Sequence, residues 1–205
     1  MLMAQSLTCL RGERLLFKNV SFELSAGGLM YVLGENGSGK SSLLRLLCGL
    51  LTPDEGFVFW HGQAIKHDAE VYQADLTYIG HLNGLKDDLT ALENLKISAH
   101  LSGNAVDNNA VLNSLTAIGV ARCANMSVGV LSQGQKRRVA LARLWLTRSS
   151  LWVLDEPFAA LDAASVDVLA SRISEHMSNG GMTIITTHQD VAINAQSTQT
   201  LRLSA

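Results

Sequence analysis

The chain has 205 residues, of which 47% are hydrophobic and 5% aromatic, and a formal net charge of −2. This length suits one domain with a sizeable core, and the charge gives no sign of a basic nucleic-acid-binding face. No apolar run approaches the roughly 18 residues of a membrane span, and residues 1–10 lack the basic and apolar regions of a signal peptide. We expect Cys9, Cys48 and Cys123, which are far apart, to be buried free thiols in a reducing compartment.

The first 60 residues predict strands around a phosphate-binding loop. Weak alternation over 4–24 predicts antiparallel strands. The apolar run 29–33 predicts a buried strand, and leucines at helical spacing predict a helix over 41–51. Between them, residues 34–41 read Gly-Glu-Asn-Gly-Ser-Gly-Lys-Ser, a complete G-x-x-x-x-G-K-[ST] phosphate loop. A turn at 52–56 then leads into a strand at 57–60.

The phosphate loop predicts an ATP or GTP site. Its glycines bring backbone N–H groups close to an anion, and the N-terminus of the following helix favours phosphate. Lys40 can reach the terminal phosphates, and the Ser41 hydroxyl can bind Mg²⁺. A Gly-rich turn that matches by chance would not need the flanking strand and helix. The expected nucleotide-binding residues of this segment are Gly34, Glu35, Asn36, Gly37, Ser38, Gly39, Lys40, Ser41 and Ser42.

The rest of the chain predicts a helical insertion between two halves of an α/β core. Residues 89–148 are mostly helical, with a capping box at Thr90-x-x-Glu93 and a second helical stretch at 110–118. The runs 151–154 and 183–186 are typical of buried parallel strands. We therefore expect one domain over 1–205, with its core and β subdomain at about 1–80 and 149–205 and its helical subdomain at about 85–148.

Two further motifs are each ambiguous alone. Asp155-Glu156 follows the strand at 151–154, where a carboxylate can bind nucleotide-bound Mg²⁺ and a second can activate water, although a polar turn after a strand looks the same. Ser132-x-x-Gln135 is a capping box for a helix through Leu146, and a capped helix N-terminus is also an anion site.

Together these motifs resemble those of the ABC ATPases, since Leu131-Ser132-Gln133-Gly134-Gln135 is similar to their signature sequence and the order of motifs matches along the chain. The resemblance implies an α/β fold: a P-loop NTPase core of ABC type with an N-terminal antiparallel β subdomain and a helical subdomain. It implies ATP and Mg²⁺ as ligands. The implied roles are catalysis by Glu156, γ-phosphate sensing by His188, Mg²⁺ binding by Ser41 and Asp155, communication across a dimer by the D-loop residue Asp162, and contact with the opposite subunit's nucleotide by Ser132, Gly134 and Gln135. A lone histidine at 188 would otherwise be interpreted as structural.

Two positions depart from the ABC pattern. His81 stands where most members have a glutamine that helps to sense Mg²⁺; neutral imidazole can still bind a metal or water. Arg11 stands where an aromatic ring normally stacks on adenine. Its guanidinium can stack on a base, and a solvated loop arginine is the alternative.

These departures indicate one subgroup. With the segments 84–86, 89–95 and 142–146 and the short length, they resemble the ATP-binding subunits of bacterial cytochrome c maturation systems. The resemblance implies a homodimer that hydrolyses ATP and drives haem export or release of a haem chaperone. It also implies integral membrane partners and a peripheral position at the cytoplasmic face of the inner membrane. We expect docking at the groove near 81–95, where Leu82 and Leu85 suit a short partner helix, unless they are simply exposed loop residues.

Three alternatives remain at this point: another small ABC exporter, a soluble ABC-type ATPase, and a switch that binds ATP without turnover. The second usually has two nucleotide domains or a long coiled-coil insertion, and this chain has neither. The third is kept open by His81 and opposed by Glu156 and His188. No haem-binding motif or nucleic-acid site is evident, since His61 and His67 fall in a turn-rich segment.

Overall fold

Residues 1–203 are described by the computed structural model; residues 204 and 205, the end of the predicted domain, lie outside the described residues. The strands are β1 (Leu2–Arg11), β2 (Arg14–Leu24), β3 (Gly28–Leu33), β4 (Glu55–Trp60), β5 (Gln63–Ala64), β6 (Leu76–Ile79), β7 (Leu151–Asp155), β8 (Met182–Thr186) and β9 (Ser197–Arg202). The α-helices are α1 (Lys40–Leu47), α2 (Ala69–Ala74), α3 (Ala91–Leu101), α4 (Asn108–Ala117), α5 (Gln133–Leu141) and α6 (Ala163–Ser178).

The strands form two sheets. The antiparallel sheet has the order β2-β1-β4-β5, and the five-stranded sheet has the order β6-β7-β8-β3-β9, in which every pairing is parallel. Every residue of β7 and β8 is buried, as expected for parallel strands covered on both faces. The carboxyl ends of β3, β7 and β8 lie at one edge of this sheet, which is where an open α/β sheet binds ligands.

Separate apolar clusters support the two parts of the molecule. One fills the space between the sheets and α1, and another joins the parallel sheet to α6. A further cluster, centred on Leu95, Leu115 and Val139, joins α3, α4 and α5. This last cluster gives the segment between β6 and β7 a hydrophobic core of its own. The exact bounds of the predicted subdomains stay a prediction.

Two predicted helices end earlier than expected. Helix α1 stops at Leu47 rather than continuing to 51, because Gly49 adopts a left-handed φ of 69° that terminates a helix. Leu50 and Leu51, which continued the apolar pattern, are exposed. Helix α5 ends at Leu141, and residues 142–145 form a tighter 3₁₀ turn before Leu146. The predicted starts of α3 and α5 are confirmed, since the capping boxes at Thr90 and Ser132 are both formed.

The three cysteines are unpaired and buried within the described part of the chain, as predicted. Burial raises the pKa of the Cys9 and Cys48 thiols, which disfavours the reactive thiolate. Within residues 1–203, no helix combines the length and apolar character needed to cross a bilayer.

Candidate nucleotide site

A cleft of about 490 Å³ lies at the carboxyl edge of the parallel sheet. It brings together residues from β1, β2, the phosphate loop, α1, the segment after β6, and the ends of β7 and β8. Its lining consists of Arg11, Leu16, Asn36, Gly37, Gly39, Lys40, Ser41, Ser42, His81, Asp155, Glu156, Ala159 and His188. The sequence predicted eleven of these thirteen residues as site residues; Leu16 and Ala159 are additions.

The loop between β3 and α1 needs glycine where its backbone turns. Gly39, which precedes α1, has a φ of 97°, and a Cβ there would lie 3.1 Å from atoms of Leu16 and Phe17. Lys40 opens the helix, and its Nζ donates to the carbonyl oxygens of Gly34 at 2.7 Å and Glu35 at 3.1 Å. The loop thus presents an ammonium group and a helix N-terminus to the cleft, which is a suitable arrangement for phosphate.

Beside the loop, hydroxyl and carboxylate oxygens converge on Asp155. The Ser41 Oγ donates to Asp155 Oδ2 at 2.8 Å, and the Thr186 Oγ1 donates to Asp155 Oδ1 at 2.6 Å. Both carboxylate oxygens are therefore fixed by neighbouring hydroxyls, and Asp155 is buried. Hard oxygen donors of this kind fit Mg²⁺, with Ser41 and Asp155 as the pair that faces the phosphate loop.

Glu156 and His188 form the next pair in the cleft. His188 Nε2 lies 3.3 Å from Glu156 Oε1, and the histidine side chain is the more exposed of the two. Glu156 has a φ of 50°, which is unusual for a residue with a side chain. Its N–H donates to the carbonyl oxygen of Thr186 at 3.1 Å and to the Thr186 Oγ1 at 2.9 Å. A carboxylate beside an imidazole at the phosphate end of the cleft is suited to handling a water proton.

The two departures from the ABC pattern both line the cleft. Arg11, at the end of β1, and His81, after β6, have exposed side chains. Arg14, which the sequence did not single out, donates from Nη2 to the carbonyl oxygen of Gly37 at 3.4 Å. The β1–β2 hairpin therefore brings guanidinium groups, and the apolar side chain of Leu16, to the open side of the phosphate loop.

The signature residues Ser132, Gly134 and Gln135 do not line this cleft. The Ser132 Oγ accepts from Gln135 N at 3.3 Å, and the Gln135 side chain accepts from Ser132 N at 2.9 Å. A Cβ on Gly134 would lie 3.0 Å from the carbonyl oxygen of Ala160. The start of α5 therefore adjoins the D-loop of the same chain.

Asp162 has a structural part in this arrangement. Its side chain caps α6 by accepting from Ser165 N at 2.9 Å. Hydrogen bonding from the side chain and then the backbone of Ser165 lowers the pKa of Asp162. Its other oxygen lies 3.8 Å from Nη1 of Arg138 on α5. The D-loop residue is thus fixed to two helices of its own chain.

Sequence reasoning missed two residues that organise the site. Thr186 forms hydrogen bonds with both Asp155 and Glu156. The sequence feature that could have identified it is a hydroxyl at the end of an apolar strand. Arg137 is buried on α5 and bonds the end of β7. The sequence feature that could have identified it is helical spacing: Arg137 lies four residues before the buried Leu141 and so on the same face of α5.

Of the two leucines predicted to be exposed in the docking groove, only one is exposed. Leu82 is 82% exposed, whereas Leu85 is half-buried and packs against the helical cluster. Leu85 thus supports the helical part of the molecule, and Leu82 remains as an apolar side chain open to a partner.

Comparison with known proteins gives consistent matches. The family described as ABC transporter matches residues 17–159. The chain is 50% identical over 204 residues to a protein of Nitrosomonas europaea named cytochrome c biogenesis ATP-binding export protein CcmA, covering 100% of this chain and 96% of that protein. It is 49% identical over 203 residues to a protein of the same name from Dechloromonas aromatica, covering 99% and 100%. A solved dimeric bacterial ABC transporter cassette superimposes with a TM-score of 0.82 at 25% identity, covering 92% of this chain and 88% of that one. These matches confirm the predicted ABC-type fold.

Proposed function

The chain belongs to the ABC transporter family, and we propose that it is the ATP-hydrolysing subunit of a membrane complex for cytochrome c maturation. The observation that carries the proposal is the cluster at the phosphate loop: Ser41 and Thr186 fix the carboxylate of Asp155, while Glu156 lies against His188. A site that only bound ATP would not need the second carboxylate and its imidazole neighbour.

Each cleft residue has a defined part in this reaction. Backbone N–H groups of residues 34–42 hold the phosphates, and Lys40 exchanges its bonds to loop carbonyls for bonds to the terminal phosphates. Glu156 accepts a proton from the attacking water, and His188 contacts the γ-phosphate and orients that carboxylate. Asp155 and Ser41 would hold Mg²⁺, which would neutralise phosphate charge. His81 faces the same region and takes the position of the usual glutamine.

The complete site is formed by two copies of the chain. Ser132, Gly134 and Gln135 lie outside the cleft of their own chain, yet the N-terminus of α5 is well suited to bind an anion. Two chains arranged head to tail bring each signature segment to the γ-phosphate held by the other chain. The similar cassette of known structure is described as dimeric. ATP binding closes this dimer, and hydrolysis reopens it.

The energy of this cycle is used at the cytoplasmic face of the bacterial inner membrane. The relatives are named as cytochrome c biogenesis export proteins, which supports haem export or release of a haem chaperone as the task. The chain associates peripherally, through integral membrane subunits that dock beside Leu82, an apolar side chain that is 82% exposed.

A nucleotide switch without turnover is the second candidate, and it is favoured only by His81 in the cleft. Imidazole binds Mg²⁺ less readily than oxygen ligands do. The two candidates differ in turnover, not in ATP binding.

Complementation tests the proposal. In bacteria lacking their own cytochrome c maturation ATPase, the wild-type chain should restore haem-containing cytochrome c and co-sediment with membranes only when the membrane subunits are expressed. Glu156→Gln should co-sediment equally and fail to restore the cytochrome. Restoration by both chains would support the switch instead, and restoration by neither, with normal membrane binding, would argue for a different exported substrate.

A further inference from the structure

Arg137 on α5 is a buried charge without a carboxylate partner among residues 1–203. Its side chain is only 5% exposed, and its four hydrogen bonds all go to neutral oxygens. Burial lowers its pKa, an effect partly offset by the nearby charges of Asp155 and Glu156. Burying a guanidinium is costly unless its hydrogen bonds are satisfied, and Arg137 Nε has no partner among the described residues. The four bonds made by Nη1 and Nη2 therefore need a specific reason.

The two ends of the guanidinium bind two different parts of the site. Nη1 donates to the carbonyl oxygen of Gly80 at 2.9 Å and to Asn83 Oδ1 at 3.2 Å. Nη2 donates to the carbonyl oxygens of Asp155 and Glu156, both at 2.8 Å. One planar group therefore joins the segment around His81 to the end of strand β7, and it does so from the helix that the signature residue Ser132 caps.

The bond to Glu156 falls where the backbone is strained. A non-glycine residue with a φ of 50° persists only when its surroundings fix it. Thr186 fixes the N–H of Glu156, and Arg137 fixes its carbonyl oxygen. The two bonds hold the peptide groups on either side of the Glu156 side chain, and so they set the direction in which the side chain leaves the backbone.

We propose that Arg137 is a positioning residue for ATP hydrolysis, which holds Glu156 in its strained conformation and ties it to the 80–83 segment. Movement of that segment when a membrane partner docks, or of α5 when the signature engages ATP, is then transmitted directly to the catalytic carboxylate. Arg137 touches no substrate; it acts through Glu156. This role rests on the proposed ATP hydrolysis.

Arg143 provides the matched control. It lies on the same side of the helical region, where burial lowers its pKa to about 10. It donates to the carbonyl oxygens of Ala140 and Asn83 at 2.9 Å each. It therefore binds the same segment after β6 and makes no bond to the end of β7.

The test compares Arg137→Met, Arg137→Lys and Arg143→Met with the wild-type full-length chain, each with the co-expressed membrane subunits. For each, steady-state kcat and KM for Mg-ATP, thermal unfolding, and hydrogen–deuterium exchange of peptides covering 79–84 and 155–159 are measured. Arg137→Met should lower kcat by about 10- to 100-fold, as expected for a displaced catalytic group, with KM within about twofold of wild type. Exchange should rise in both peptides. Arg137→Lys, whose single Nζ cannot bond both sides, should show the same pattern. This variant decides the test if Arg137→Met does not fold.

Arg143→Met should keep kcat within about threefold of wild type and raise exchange only in the 79–84 peptide. The proposal is overturned if Arg137→Met or Arg137→Lys keeps wild-type kcat and exchange at 155–159. It is also overturned if kcat falls equally in the Arg137 and Arg143 variants in proportion to lost stability. Absence of turnover in the wild-type chain would contradict the proposed function instead, and the exchange data would then decide on Arg137 alone.

Discussion

Ser132 has two proposed roles, as a helix cap and as a ligand of ATP bound to the partner copy. Another residue of the chain caps a helix in the same way without the second role, and so serves as a control. Thr90 heads a capping box of the same form on α3, where its Oγ1 accepts from Glu93 N at 3.2 Å. The corresponding distance from Ser132 Oγ to Gln135 N is 3.3 Å. Replacing either residue with alanine removes one side-chain cap and should cost about 1 kcal/mol of stability, or about 2–4 °C in Tm for a chain of this size.

Only Ser132→Ala should also reduce hydrolysis. A hydrogen bond to a charged phosphate contributes about 1.5–3 kcal/mol, so its loss from the transition state lowers kcat by about 10- to 150-fold. The assay is steady-state ATP hydrolysis at a protein concentration that supports the dimer, beside thermal unfolding of both variants. If Ser132→Ala and Thr90→Ala lose the same stability and the same activity, Ser132 is only a cap and the assignment of the signature is wrong.

Three further predictions concern residues around the site and the core. Thr186→Val keeps the shape of a buried residue but removes its bonds to Asp155 and Glu156, and should lower the free energy of unfolding in urea by about 1.5–3 kcal/mol; no change would mean that these bonds add nothing. His176 is stacked on Trp152 and has a pKa lowered to about 4, chiefly by burial. Because the unfolded state takes up its proton near pH 6.5, the wild type should lose stability as pH falls from about 6.5 to about 4, and His176→Phe should lose less in urea titrations across that range. Arg11→Ala should weaken ATP binding by about threefold to tenfold in calorimetry if the guanidinium stacks on adenine, whereas unchanged affinity would identify a solvated loop arginine.

Local motifs predicted most of the site because their chemistry depends on neighbours in the sequence. The phosphate loop and the Asp155-Glu156 pair each include the strand that positions them. Contacts between distant segments were harder to predict. The bonds from Arg137 to Gly80 and Glu156 join residues 57 and 19 positions away, and only the folded chain brings them together.

The same distinction applies to the elements of the fold. Strand β9 consists mostly of exposed residues and pairs with β3 at the sheet edge, so it lacks the apolar alternation that marks a strand. Helix α1 was predicted too long because Leu50 and Leu51 continued the apolar spacing. Gly49, whose φ is 69°, was the local signal that ends it.

The proposed two-chain site is tested by comparing the wild-type chain with Glu156→Gln in ATP and Mg²⁺, in the presence of the co-expressed membrane subunits. ATP hydrolysis is measured on that complex, and the mass of each chain purified without the membrane subunits is measured separately in ATP by light scattering. We predict turnover by the wild type and almost none by the variant, and we expect the variant in ATP to form a stable particle of twice the 22.0 kDa chain mass. Hydrolysis by the variant at the wild-type rate would contradict the catalytic assignment of Glu156, and a particle that stays monomeric in ATP would contradict the two-chain site.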